Sequence, residues 1–156
     1  MKAIEDKLNL ITLSGVVTVP LNIVYDDDKE SVDSKASIDI VYDGLEYAGK
    51  GSDYLLMDAF ADLQRSLPEG VALACCISCR HGQMCPYGNT PNQLFCTKDK
   101  EINSKKDICK LFDSHEDAFK WAVRSFDYCD SFVYQSNDSY TYNDYLIWLE
   151  EHDKQT

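Results

Sequence analysis

Five of the seven cysteines of this chain fall in one stretch, CCISCRHGQMCPYGNTPNQLFC, from Cys75 to Cys96. Cys76 and Cys79 stand in a C-x2-C pair, Cys85 follows six positions on, and Cys96 eleven beyond that. A two-residue gap lets both sulfurs reach one ion when the chain turns around it, and structural zinc takes four such ligands in a tetrahedron. The candidate metal set is therefore Cys76, Cys79, Cys85 and Cys96, with zinc as the ion and His81 as a substitute ligand. Gly82, Pro86, Gly88 and Pro91 allow the tight turns that such a loop needs.

Two other readings compete with zinc. Unligated cysteine is among the most buried residue types, so the thiols can simply pack. In a strand Cys76 and Cys79 would point to opposite faces, and the second C-x2-C of paired knuckles is missing. The alternative is an iron-sulfur or redox role: C-x2-C-x5-C followed by Pro86 is similar to cluster-binding loops. No radical or nucleotide-binding motif accompanies it, and the pair does not open an evident helix as a thioredoxin-like motif would. From Gly70 through Lys98 there is no Asp or Glu, while Arg80, His81 and Lys98 are basic. Such surroundings favour thiolate over thiol, and they equally suit a partner-facing patch.

Catalytic signatures are otherwise absent. His81, His115 and His152 form no pair at helical spacing, and a nucleophile built from Cys79 or Cys85 with His115 has no local support. There is no G-x-S-x-G, P-loop, dinucleotide fingerprint or H-E-x-x-H. Asp26, Asp27 and Asp28 lack the alternating spacing of a calcium loop and read as a solvated acidic connection. A thiol enzyme or redox sensor is thus the third functional expectation.

Lys plus Arg number 15 against 27 Asp plus Glu, a net charge of -12. That field repels nucleic-acid phosphates and anionic lipid, and favours a basic protein partner. The N-terminal run MKAIEDKLNLITLSGVVTVPL carries Glu5 and Asp6 where a signal peptide needs basic residues. No stretch reaches the roughly 20 apolar residues of a membrane span. The expectation is one cytoplasmic globular domain over residues 1–156, in a compartment where thiols stay reduced.

The elements that must position the cysteines follow from periodicity. Val17, Val19, Leu21, Ile23 and Tyr25 alternate as a half-buried strand that pairs back across Ser14-Gly15 with residues 7–13. Pro20 argues for an edge position. Ala36–Tyr42 and Leu45–Ala48 flank Asp43-Gly44, suited to a type I′ hairpin turn. Ser52 is placed to cap a helix through Leu56, Ala59, Phe60, Leu63 and Leu67, ended by Pro68-Glu69-Gly70. Val71, Leu73, Cys75 and Ile77 then make a core-facing strand, with Cys75 as a core residue, and Gln93–Lys98 a short one. Glu116 and Asp117 favour a helix from Ser114 through Phe119, Val123, Phe126 and Cys129 or Val133, and Tyr140–His152 a last helix. The sum is an α+β fold, an antiparallel-rich sheet with helices mainly on one face.

The run CISCRHGQMCPYGNTPNQLFCTKD, with its Cys-x2-Cys, Pro-Tyr-Gly-Asn and Phe-Cys features, resembles a segment of a family of small bacterial proteins. That resemblance implies Cys76, Cys79 and Cys96 as the shared positions, with Ser tolerated at Cys85. Size, acidity and α+β make-up also resemble the immunity proteins of bacterial toxin systems, which bind cationic toxins. The functional expectation is accordingly a small acidic immunity-like inhibitor of a basic, toxin-like protein. A zinc-stapled cysteine-rich domain is the alternative.

Overall fold

The computed structural model describes residues 2–26, 35–52, 56–88, 93–114 and 118–154. Eight strands form two antiparallel sheets, joined by three helices, an α+β fold. The first sheet has the order β4-β3-β2-β1-β5, with β1 Lys2–Thr12, β2 Gly15–Tyr25, β3 Ala36–Tyr42, β4 Leu45–Gly51 and β5 Ala72–Leu73. The second has the order β6-β7-β8, with β6 Gly82–Gln83, β7 Gln93–Cys96 and β8 Ala122–Arg124. The helices are α1 Met57–Ser66, α2 Lys105–Ser114 and α3 Tyr145–Lys154.

Period-2 patterning sets the long hairpin. Leu8 and Leu10 of β1 and Val19, Leu21, Ile23 and Tyr25 of β2 are buried on one face, and β3 adds Ala36, Ile38 and Ile40. Asp43 and Gly44 both have positive φ, 51° and 77°, as the expected I′ turn requires. Pro20 lies in an interior strand, yet β3 pairs with β2 only from Leu21↔Ile40 onward. Beyond that point β2 has a free side, and its missing N–H costs no ladder bond there.

Helix α1 covers the buried face with Met57, Ala59, Phe60, Ala61 and Leu63, and α3 packs against α1. Its N-cap is Leu56, with φ 67°, not the expected Ser52. Burying the Leu56 side chain holds this left-handed conformation, which costs a non-glycine residue about 1–2 kcal/mol. The Ser52 N–H instead donates to Asp58 Oδ2 (2.6 Å) and the Lys50 N–H to Asp62 Oδ2 (2.8 Å). Two helix carboxylates thus occupy donors of the edge strand β4, which would otherwise invite another chain. Gly49 lets β4 meet α1, since a Cβ there would collide with Ala59 O and Leu63 N.

Two sequence expectations fail. The strand expected through Ile77 stops at Leu73, although the Ala74 N–H still donates to Asn9 O (2.9 Å); the chain then enters a 3-10 turn, Cys76–Ser78. The helix expected from Ser114 is replaced by a 3-10 turn at Ala118–Trp121, strand β8 and an irregular run. Tertiary pairing decides here: Leu94↔Val123 and Phe95↔Ala122 zip β8 onto β7. Helix α2 forms where the sequence was ambiguous, with Ile108 buried and Phe112 edge-on to Phe95 at 5.0 Å. One hydrophobic cluster runs from the first sheet through α1 to Cys75, Ile77, Leu94, Phe126 and Tyr145. Asp27 and Asp28 of the acidic connection, Pro91, and His115, Glu116 and Asp117 of the expected helix start lie outside the described residues.

Candidate metal centre

The cysteine segment is a chain of tight turns held from both sides. Cys76 N–H donates to Asp127 O (2.8 Å) and Ile77 N–H to Ser125 O (2.9 Å), which pulls the chain off the first sheet. Ser78 N–H returns to Cys75 O (3.0 Å), Cys79 N–H to Cys76 O (3.3 Å) and Gly82 N–H to Cys79 O (3.1 Å). On the far side Arg80 N–H donates to Val133 O (2.8 Å), and Gln135 N–H to Ser78 O (3.0 Å). Gly82 is required at the end of the turn because a Cβ would strike the Cys76 carbonyl oxygen. It pairs with Cys96 across β6 and β7, so the C-x2-C turn folds back over the second strand that carries a cysteine.

A buried polar network fixes this arrangement. Asn143 Nδ2 donates to Gly82 O (2.5 Å) and Ile77 O (3.4 Å), and its Oδ1 accepts from Gln135 Nε2 (2.9 Å) and Tyr145 N–H (3.1 Å). Gln135 Nε2 also donates to Ile77 O (2.8 Å). Gln83 Nε2 reaches Thr97 Oγ1 (3.1 Å), and its Oε1 accepts the Tyr142 N–H (2.5 Å). Ser78 Oγ donates to Leu73 O (3.0 Å). Ser78, Gln83, Thr97, Gln135 and Asn143 are all buried. A buried polar group is costly without partners, and each of these is bonded.

Inside the turn, Cys75, Cys76, Cys79, Cys96 and Cys129 line one small cavity of about 10 Å³, with His81 and Asp127 at its wall. The space is that of a single water-sized guest. Cys129 arrives on the irregular run after β8, where the Phe132 N–H bonds Cys129 O (3.0 Å) and Phe132 closes the cavity. Three of the four cysteines singled out by spacing therefore converge, while Cys85 is not among those lining the cavity. Cys129 had no spacing signal, because it lies 33 positions beyond Cys96 and reads as part of a helix. Cys75 is fully buried in the hydrophobic core.

All seven cysteines are free thiols. Burial pushes the Cys76 thiol far above its ordinary range, with Cys75, Cys79, Asp127 and Cys96 adding to the penalty on ionisation. Burial likewise raises Cys79, with Cys96 and Cys129 further opposing its charge and main-chain N–H groups at Val133 and His81 partly offsetting it. His81 is held below its usual value by burial first and then by Arg80. As they stand these are protonated, weakly nucleophilic sulfurs beside a neutral imidazole, the reverse of an activated thiolate pair. A cation inverts that balance, because a coordinating thiol is deprotonated outright. Among the described residues no group of three or more His, Cys, Asp or Glu side chains is placed to hold a metal ion. Cys76, Cys79, Cys96 and Cys129 line one space, and a metal shell formed from them requires loss of protons and movement of the side chains.

No family model matches the chain, and no curated protein matches it. Among the described residues no helix is long and apolar enough to cross a membrane.

Proposed function

We propose that the chain is a metal-stapled binding protein, in which Cys76, Cys79, Cys96 and Cys129 hold one zinc ion that locks the cysteine turn to the second sheet. The observation that supports this reading is that these four cysteines, from three separate stretches of chain, line one atom-sized cavity beside the core residue Cys75. Four thiolates suit zinc or an iron-sulfur cluster, and the single-guest volume favours one ion. The role is structural, since four protein ligands leave no open position for substrate. The test is thermal unfolding with and without a strong chelator: the account requires a clear drop in melting temperature, restored by zinc. An unchanged transition would remove the staple.

A second reading concerns what is bound, and one feature of α3 favours it. Ile147 and Trp148 are 51% and 39% exposed on a helix that also presents Glu150 to solvent, with Asp144 exposed just before its first turn. An apolar and aromatic anchor with an acidic rim, on a protein of net charge -12, suits a basic protein partner. This is the immunity-like inhibitor expected from the sequence, docking a cationic toxin and blocking it. Co-purification with the product of the adjacent gene is the check. A basic neighbour should bind at moderate salt and be lost on Trp148→Ala; no binding by a basic neighbour, or none lost in the variant, rules the surface out.

A further inference from the structure

On the opposite side of His81 from the thiols lies an open cleft of about 410 Å³, and its lining is unlike the rest of this acidic molecule. Arg80 and Lys100 face into it together with His81, Asn103 and Ser139. The volume is in the range of small-molecule sites, roughly 300–1,000 Å³. Arg80 is anchored through its backbone on three sides: its N–H to Val133 O, and its carbonyl accepting from Thr141 Oγ1 (2.9 Å) and Gln83 Nε2 (3.3 Å). Its guanidinium makes no hydrogen bond or ion pair to any described residue, although its charge helps to lower the Asp138 carboxyl in the same lining, so its fork of donors remains open to a ligand. Lys100 stands over the Trp121 ring at 5.3 Å, which holds its ammonium in place.

Two further features point to a ligand. Ser139 Oγ is buried and has no hydrogen-bond partner among the described residues, an arrangement that folded proteins avoid unless something else supplies the partner. The only carboxylate in the lining is Asp138, which already accepts a hydrogen bond from Ser136. Arg80 and Lys100 thus share the lining with one carboxylate, Asp138, whose carboxyl is held below its usual value by the Ser136 hydrogen bond first and by the Arg80 charge as well, a local balance more basic than a chain of net charge -12 has on average. Ile102 and Tyr140 add apolar wall on which an organic ring can rest.

We propose that this cleft binds a small phosphorylated molecule, its phosphate taken by the Arg80 guanidinium and Lys100, with Ser139 donating its hydroxyl and the remainder lying against Tyr140. Arginine's planar fork meets phosphate oxygens two at a time, and a lysine adds a point charge. Binding does not require the zinc staple, although Arg80 directly follows Cys79 and inherits its position from the same turn.

The experiment titrates inorganic phosphate, adenosine monophosphate and, separately, succinate into the full chain, read by calorimetry and by Trp121 fluorescence. One-to-one saturable binding of adenosine monophosphate is expected, weakened about tenfold or more in both Arg80→Gln and Lys100→Gln. Phosphate should compete with it. Arg80→Gln should melt with the native protein, Lys100→Gln should melt only slightly lower because it gives up the contact with the Trp121 ring, and Ser139→Ala should weaken binding by a smaller factor. Absence of saturable binding at millimolar ligand overturns the proposal, as does binding unchanged in Arg80→Gln. Succinate binding as tightly as the phosphates would overturn the assignment to phosphate.

Discussion

Replacing Asn143 by Leu removes the central member of the network beneath the cysteine turn while keeping the same branched skeleton, with two bulkier methyl groups in place of the amide. Asn143 is 7% exposed. Of its four partners, Ile77 O retains the Gln135 amide and Gln135 Nε2 retains Ile77 O, so neither is orphaned. Gly82 O and Tyr145 N–H lose the side-chain bonds at 2.5 and 3.1 Å. A buried polar group left without its partner costs about 1–3 kcal/mol, so the two together give about 2–6 kcal/mol, less a fraction returned by the apolar side chain. A loss of ~3 kcal/mol lowers the melting temperature of a chain this size by roughly 6–12 °C. Urea unfolding should show a lower midpoint with the slope unchanged, because the surface exposed on unfolding is the same. Asn143→Asp should be worse than Leu, since it sets a carboxylate oxygen against Gly82 O. A loss under about 1 kcal/mol for both variants would refute the idea that this network holds the turn.

Gly49→Ala should destabilise by about 1–3 kcal/mol, read by urea midpoint, because the new Cβ meets the α1 backbone at Ala59 and Leu63, which side-chain rotation cannot relieve. Alkaline pH should weaken the metal-free protein through Cys75, whose thiol burial pushes up from 9.0 to about 12. The folded-state value lies above the unfolded one, so the stability it contributes is full below pH 9.0 and is lost as pH rises towards about 12. Cys75→Val should reduce that loss in a pH series of unfolding curves without abolishing it, because burial raises Cys76 and Cys79 as well.

The first sheet was legible in the sequence because its signals are local. Alternation over Val17–Tyr25 and the Asp43-Gly44 turn specify hairpins whose partners lie next to each other in the chain. The second sheet was not legible. Val71–Ile77 alternates like a strand, yet Cys76 and Ile77 give their N–H groups to Asp127 and Ser125, about fifty residues away. Phe119, Val123 and Phe126 fall at helical spacing, yet Val123 pairs with Leu94, and no local propensity records that long-range choice. The candidate site divides the same way. Cys76, Cys79 and Cys96 were visible by spacing, and the acid-free window marked the ground shared by the thiol cavity and the basic cleft. Cys129 and the buried amides Gln83, Gln135 and Asn143 carried no signal, since a polar residue in a loop-like run reads as solvated until the fold closes around it.

The most direct test of the central claim is metal analysis of the untagged protein and two variants, Cys129→Ser and Cys85→Ser, each purified without added metal or chelator. The account requires close to one zinc per chain in the native protein and in Cys85→Ser, with most of it lost in Cys129→Ser. Metal-free native protein would contradict it. So would zinc that survives Cys129→Ser and disappears in Cys85→Ser, which would return the fourth position to the residue the sequence spacing first suggested.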